Sequence, residues 1–288
     1  MARSKTPHDI RMDILQKSID YIESQLKVGG NLSVKQIADN ACTVERNLLR
    51  RFRSDKHESV SGFVTRLKVE KAQRLIAYTL KDPELIYEDA GFRDYESFER
   101  AYCSLKEGNP HEYLAEIKIV RKNCRESSHN GEDIILEDIK MVAVRDSGDY
   151  NGSKPEVAWG KLNLIIRNNN WNLENAAYYG VLYDDTVITK KDYCRYDACI
   201  LLNTKVNIGK NLREINLPGG RYQRFRHNGP YSELEAVYSN IYDGWDEHTL
   251  FDLGERPIIE KYLNAPQDIA STELLTEIYI PVHDKTIL

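Results

Sequence analysis

No run of eighteen apolar residues occurs in this 288-residue chain, and a helix needs about that many to cross a bilayer. The N-terminus lacks the basic-then-apolar layout of a secretory signal. Together these absences set the expectation of a cytoplasmic protein with no membrane partner. Cysteine is sparse: the five residues at 42, 103, 124, 194 and 199 are odd in number and lack paired metal-ligand spacing. Free thiols in a reducing compartment are therefore expected. The seven histidines are scattered without ligand spacing, so no metal is expected. There is no His-Glu-x-x-His, no Gly-x-Ser-x-Gly and no phosphate-binding loop. That removes the chemistries those motifs serve, and neither a catalytic residue nor a cofactor is expected.

Net charge is also small, −5, but it is unevenly spread. Residues 1–122 carry 22 Lys/Arg against 19 Asp/Glu, a net of +3; the remainder carry 18 against 26, a net of −8. Such a split suits a front half that meets a polyanion and a back half that avoids one. The length allows two domains, or three small ones.

One pattern occurs twice in the front half. LSVKQIADNACTVERNLLRRF (32–52) places Ile37, Ala41, Leu48 and Phe52 where PELIYEDAGFRDYESFERAY (83–102) places Ile86, Ala90, Phe98 and Tyr102. Each copy predicts a short helix with a small Ala on its inner face, a turn, and a second helix with apolar residues four apart. A small inner residue lets two short helices cross closely, and the free face of the second helix is what a major groove admits. Between the copies, FVTRLKVEKAQRLIAY (63–78) has Phe63, Leu67, Ala72, Leu75 and Ile76 near helical period. Arg66, Lys68, Lys71 and Arg74 lie between them. A helix of that length spans roughly 25 Å. It would hold the two second helices about 34 Å apart, one turn of DNA. One chain would then fill two adjacent grooves, so a monomer on an asymmetric site is expected.

Charge divides the labour between the copies. Residues 32–74 carry ten Lys/Arg and five Asp/Glu; residues 75–122 carry seven and ten. Phosphate neutralisation supplies much of DNA affinity, so the first copy is expected to do most of the binding. Ser33 opens it, and its second helix carries Glu45, Arg46, Asn47, Arg50 and Arg51. Arg and Asn pair bidentately with guanine and adenine edges. The second copy offers Tyr95, Ser97 and Arg100 beside Glu96 and Glu99. Two carboxylates suit a phosphate-lined groove poorly, and a weak or backbone-only contact is expected there.

The blocks LSVKQIA, RRF, TRLKVEKAQRLI, AGF, ESFERAY and NPHEYL resemble the AraC/XylS family of bacterial transcription regulators in residues and spacing, over about residues 8–120. The resemblance implies an all-α domain with two helix-turn-helix modules over 8–122. It implies promoter double-stranded DNA as a partner and makes RNA polymerase a further candidate. Three features depart from the family. Cys42 stands at a turn position that is usually Gly, IYEDA replaces an isoleucine-alanine pair, and CSLKEGNP replaces a more basic stretch.

NCRESSHNGE (123–132) is polar and without period, which reads as a linker. Beyond it the apolar period changes from 3.6 to about 2. A strand (138–150), a helix (154–169) and two strands (176–185, 196–206) are followed by the same series: a strand (219–231), a helix (232–248) and two strands (257–263, 273–282). Gly148-Asp149-Tyr150 answers Gly229-Pro230-Tyr231. The expectation is an α+β domain over 133–288 of two strand-helix-strand-strand repeats. Both helices would lie on one face of the sheet, with a cleft between the halves.

GVLYDD, CRYDACI, LPGGRYQRFRHNGPY, GW, IEKYLNAPQD and TEIYIPV resemble, in order, the GyrI-like small-molecule-binding domain. An AraC-type reader in front of such a domain resembles the Rob type of regulator. The resemblance implies a pocket at the pseudo-twofold cleft, lined by aromatics, with a buried carboxylate that pairs with cationic amphipathic ligands. The residues point the same way. Residues 125–288 hold all three Trp and 12 of the 18 Tyr, and aromatic faces stabilise cations by about 0.5–2 kcal/mol each. Glu260 shares a strand face with Ile258 and Tyr262. Glu277 and Tyr279 repeat the Glu-x-Tyr spacing, and Tyr183, Trp159 and Tyr150 are candidate walls. The function expected is a DNA-binding transcription regulator that senses a hydrophobic or cationic effector. Two alternatives stand beside it: a hydrolase using Glu260 and Glu277 as an acid/base pair, and a protein-protein module with no ligand.

Overall fold

The computed structural model describes residues 7–27, 32–123, 131–150, 154–202, 206, 212–243, 245 and 251–284. The chain divides into two compact units, Met1–Ile117 and Lys118–Leu288. Most of the linker expected at 123–132 lies outside the described residues.

In the first unit, α1 (Pro7–Lys27) precedes α2 (Val34–Asn40) and α3 (Glu45–Asp55). Next come α4 (Val60–Thr79), a 3-10 turn at Pro83–Leu85, α5 (Tyr95–Leu105) and α6 (Pro110–Asn123). Two separate cores form. Ile37, Leu48 and Phe52 pack with Leu15, Ile19 and Ile22 of α1. Ile86, Ala90, Phe98 and Tyr102 pack with Leu114 of α6. Helix α4 serves both: Val60, Phe63 and Leu67 enter the first core, and Val69, Ala72, Leu75 and Ile76 the second. Its two apolar stretches face different modules because Ala72 and Ile76 lie nine residues beyond Phe63 and Leu67 respectively, about two and a half turns, which puts them on the opposite side of the helix.

The expected first helix of the second copy is corrected here: it is a 3-10 turn followed by turn residues. Pro83 has no amide hydrogen to donate, and a single four-residue bond forms, Ala90 to the Ile86 carbonyl at 2.9 Å. The bonds that close the two turns are nevertheless the same. Cys42 and Thr43 donate to Asp39 and Ala38, as Gly91 and Phe92 donate to Glu88 and Tyr87. This turn needs a left-handed residue, and Cys42 supplies it at φ +52 where the second copy uses Gly91 at φ +89. The sulfur points to solvent, so the turn keeps its shape without glycine.

In the second unit, β1 (Glu132–Leu136), β2 (Ile139–Ser147), α7 (Lys154–Asn168), β3 (Ala177–Leu182) and β4 (Arg195–Leu201) come first. They are followed by β5 (Arg213–Leu217), β6 (Gly220–Asn228), α8 (Leu234–Asp243), β7 (Phe251–Leu253), β8 (Ile258–Tyr262) and β9 (Leu275–Asp284). Residues 244 and 246–248 of the expected second helix lie outside the described residues. The sheet runs β1-β6-β9-β8-β3-β4-β2-β5, with β7 added on β9, and all its neighbours are antiparallel. Three strands, β1, β5 and β7, were not expected from the sequence. All are short, and two of them are the outermost strands.

The two faces of the sheet differ. One carries Val142, Val144, Leu182, Tyr196, Ala198 and Ile200 under Ala158, Leu162 and Ile166 of α7, with Tyr238 of α8 beside them. The other carries Met141, Tyr179, Val181, Cys199, Ile259 and Tyr279. Ile134 and Leu136 of β1 and Ile215 and Leu217 of β5 join this second cluster from opposite ends of the strand order. The sheet therefore curls, and its far strands close over this face.

Candidate functional site

In the first helix-turn-helix module, Ser33 caps α2. Its hydroxyl accepts from the Gln36 amide at 3.2 Å while Gln36 reaches back to the Ser33 amide at 3.0 Å. Leu48 and Phe52 bury the inner face of α3, leaving Glu45, Arg46 and Arg50 exposed and Asn47 and Arg51 partly so. Asn47 donates to the Thr43 hydroxyl at 2.8 Å and accepts from Arg50 at 3.1 Å. This links two potential base-reading side chains one helical turn apart.

The second module differs. Tyr95 turns inward, its ring 5.9 Å from those of Phe98 and His111. Burial pushes its phenol up to about 12. Ser97 belongs to the helix start: its amide bonds the Asp94 carboxylate at 2.8 Å and its hydroxyl the Asp94 carbonyl at 2.8 Å. Arg100 is exposed, 3.9 Å from Glu96. Thus α3 presents a cationic surface, and α5 presents an arginine beside a carboxylate.

In the second unit the structure gathers Glu260, Tyr262, Trp159 and Tyr150 on the helix-covered face. Glu260 is 4% exposed. Tyr238 of α8 donates to its Oε1 at 2.7 Å, and Tyr262 donates to its Oε2. With its proton on Glu260, Tyr262 must accept from Tyr196 at 2.9 Å, and Tyr196 accepts from Trp159 Nε1 at 2.9 Å. A directed chain, Trp159 to Tyr196 to Tyr262 to Glu260, thus ends at the carboxylate. Around it, Trp159 stands 5.5 Å from Tyr262 and 6.2 Å from Tyr178, and Tyr231 stands 5.2 Å from Tyr262. Tyr150 is one layer out, 6.3 Å from Tyr196. Its hydroxyl donates to the Arg195 carbonyl at 2.8 Å.

Among the described residues no cation pairs with Glu260. Burial raises its pKa, and the two tyrosine bonds only partly oppose the rise. Room for the cage comes from Gly180, which lies opposite Glu260 in the β3–β8 register. A Cβ there would stand 2.6 Å from both the Tyr196 and Tyr262 hydroxyls and 3.1 Å from Glu260 Oε2. Gly180→Ala is expected to break the hydroxyl chain and cost about 1–3 kcal/mol by overpacking. Thermal unfolding measures that loss, and quenching of Trp159 fluorescence by added ligand should weaken with it.

Glu277, Tyr279 and Tyr183 lie on the opposite face. Tyr279 donates to Glu277, which also meets Arg224 at 3.3 Å and Arg226 at 3.4 Å. Tyr183 donates to Asp197 at 2.8 Å, with the Arg145 guanidinium 4.4 Å above its ring. The register pairs Glu260 with Ile278 and Lys261 with Glu277, so the sheet separates the two glutamates. They do not face a common substrate as an acid/base pair would need to. Sequence reasoning missed Tyr178, Tyr196, Tyr231 and Tyr238. The available signals were the strand parity that puts Tyr178 and Tyr196 on the helix side and the likeness of the Gly-Pro-Tyr and Gly-Asp-Tyr loops.

A cationic helix-turn-helix surface on one unit and an aromatic cage around a buried carboxylate on the other define a DNA-binding regulator that senses a small molecule. Residues 31–116 match a helix-turn-helix domain. Residues 135–283, more than half the chain, match the GyrI-like small molecule binding domain, and the chain belongs to that family. The SPbeta prophage-derived protein YosT of Bacillus subtilis (strain 168), named a candidate transcriptional regulator, is 28% identical over 153 residues, 51% of this chain and 95% of that one. Among solved structures, an EcmrR–DNA complex in EcmrR-RPo is similar over 93% of this chain and 95% of its own at 15% identity, TM-score 0.47. A hydrolase from Listeria innocua is similar over 58% of this chain and 98% of its own at 13% identity, TM-score 0.36. Among the described residues no helix is long and apolar enough to cross a membrane, and no group of three or more potential metal ligands occurs.

Proposed function

We propose that the effector is a hydrophobic cation. It is held against Glu260 by Trp159, Tyr178, Tyr196, Tyr231, Tyr238 and Tyr262, while α3 reads promoter DNA. The observation that carries this reading is the buried carboxylate that has hydroxyl partners and, among the described residues, no cation. A charge taken out of water is costly unless it is paired, and a cationic guest would supply the missing partner. Aromatic faces favour a diffuse positive charge. Tyr231 is more than a third exposed, which gives the cage an open side. The strand-helix-strand-strand runs on either side of the β3–β8 seam are read as two halves of one effector domain over 133–288, following a DNA-reading domain over 8–122 that binds as a monomer.

A thermal-shift comparison tests the ligand class, because a ligand that binds only the native state raises the melting temperature. Tetraphenylphosphonium should raise it, and tetraphenylborate, of the same shape and opposite charge, should not. Equal shifts from both would leave the carboxylate without a role. For the DNA-reading domain, Arg50→Ala is expected to weaken binding to a selected site by about 1–3 kcal/mol, the worth of a good base contact. Arg100→Ala should weaken all duplexes alike. Filter binding on selected and scrambled duplexes separates the two, and loss of sequence preference on Arg100→Ala alone would reverse the assignment of the modules.

A further inference from the structure

The cations of α4 invite assignment to the DNA backbone, but two of them turn inward. Arg66 is held by Glu58 at 2.9 Å and by Glu70 at 3.1 Å, which ties α4 to the segment leaving α3. Lys68 is half-buried. Its ammonium donates to the carbonyl of Gly91 and lies 5.5 Å from the centre of the Phe92 ring. Gly91 is the left-handed residue of the second module's turn, and Asp94, three residues on, caps α5. A Cβ at Gly91 would stand 3.3 Å from Lys68 Cε. The first module has no need of this clearance: its matching residue, Cys42, is exposed. Further along, Gln73 of α4 donates to the buried Tyr102 hydroxyl at 3.3 Å. So α4 grips the second module before α5 begins and again within it. The first module meets α4 through the Phe52–Phe63 ring contact, 5.4 Å between centres.

We infer that Lys68 is a positioning residue for DNA recognition: by holding the Gly91 turn it fixes the angle at which α5 leaves α4, and so the spacing between the two DNA segments that the modules occupy. It is withheld from phosphate. The difference between Gly91 and Cys42 follows from it, since only one of the two turns has a lysine stem lying across it.

The test uses the full chain and a duplex selected by that chain from randomised DNA, with one base pair inserted into or deleted from the centre of the selected site. The unaltered chain should prefer the selected spacing at least tenfold. Lys68→Met should reduce that preference below threefold while leaving affinity for a duplex cut to the first-module half within twofold. Gly91→Ala keeps the lysine charge but crowds its stem and strains the turn at φ +89, and it should flatten the preference in the same way. A phosphate contact would behave differently. Lys68→Met would then weaken all spacings equally, and the slope of log K against log salt would fall by about 0.9. That outcome overturns the proposal, as does an undiminished spacing preference in Lys68→Met. Loss of the folded state in both variants also overturns it, since the contact would then stabilise the whole unit and not its pitch.

Discussion

Glu260→Gln should weaken binding of tetraphenylphosphonium by about 3–5 kcal/mol, the usual cost of removing one partner from a buried ion pair. Binding of neutral triphenylphosphine oxide should change less than twofold. The substitution keeps the size of the side chain; its amide oxygen can still accept from Tyr238, while its NH2 would have to donate to Tyr262 where the carboxylate accepted. Calorimetry with both ligands decides the matter. Equal losses for cation and neutral ligand would make Glu260 a structural residue. The raised pKa adds a pH signature with a definite sign. Below that pKa the carboxyl must lose a proton to meet a cation, so affinity should fall about tenfold per unit as pH drops, and it should be flat above. Without ligand, the folded state holds this proton more tightly than the unfolded chain. Stability should therefore decline as pH rises from the ordinary Glu value to the raised one. Glu260→Gln should abolish both dependences.

Asp197→Ala should be the most damaging single change in the second unit to stability. Asp197 is 0% exposed and takes Arg145 bidentately at 2.7 and 3.0 Å, with Arg213 at 3.7 Å. Removing it takes away the bidentate carboxylate of a guanidinium that is itself 9% exposed, at a cost of about 3–5 kcal/mol. A domain is stable by only about 5–15 kcal/mol, so the melting temperature should drop sharply. Glu277 sits on the same face between Arg224 and Arg226, 21% and 68% exposed, so solvent reaches its partners more than it reaches Arg145 and Glu277→Ala should cost less. Burial alone would raise the Asp197 carboxyl, but Arg145 and Arg213 outweigh it and hold the pKa below the ordinary aspartate value. The stability it gives is present above the ordinary Asp range and is lost as pH falls through the lowered value. Acid unfolding of the variant should lack that component.

The reader was largely legible in the sequence because its signals are local. Ile37, Ala41, Leu48 and Phe52 fall on one inner face by spacing alone, and α4 follows from its apolar period. The direction of a long side chain is not local. Arg66 and Lys68 have the spacing of surface cations, and only the fold brings Glu58 and the Gly91 carbonyl to them. Tyr95 likewise stands in the first turn of a recognition helix, yet it packs on His111 of the next helix. In the second unit, parity within a strand correctly puts Glu260 with Tyr262 and Glu277 with Tyr279. Whether those two pairs share a face depends on the register of β8 against β9, which is set by pairing across strands. The cage was half legible for the same reason. Its carboxylate stood out on an apolar strand, but Tyr196 and Tyr238 reach it from other elements, 64 and 22 residues away in sequence.

Helix α4 joins two unlike copies head to tail in a single chain. No rotation exchanges them, because one turn is closed by cysteine and the other by glycine under a lysine. A palindrome reads the same from either end, and a symmetric dimer lying on it cannot distinguish upstream from downstream. A site read by this chain would have a direction. Reversing it in place would turn the bound DNA-reading unit end for end, with every base contact preserved.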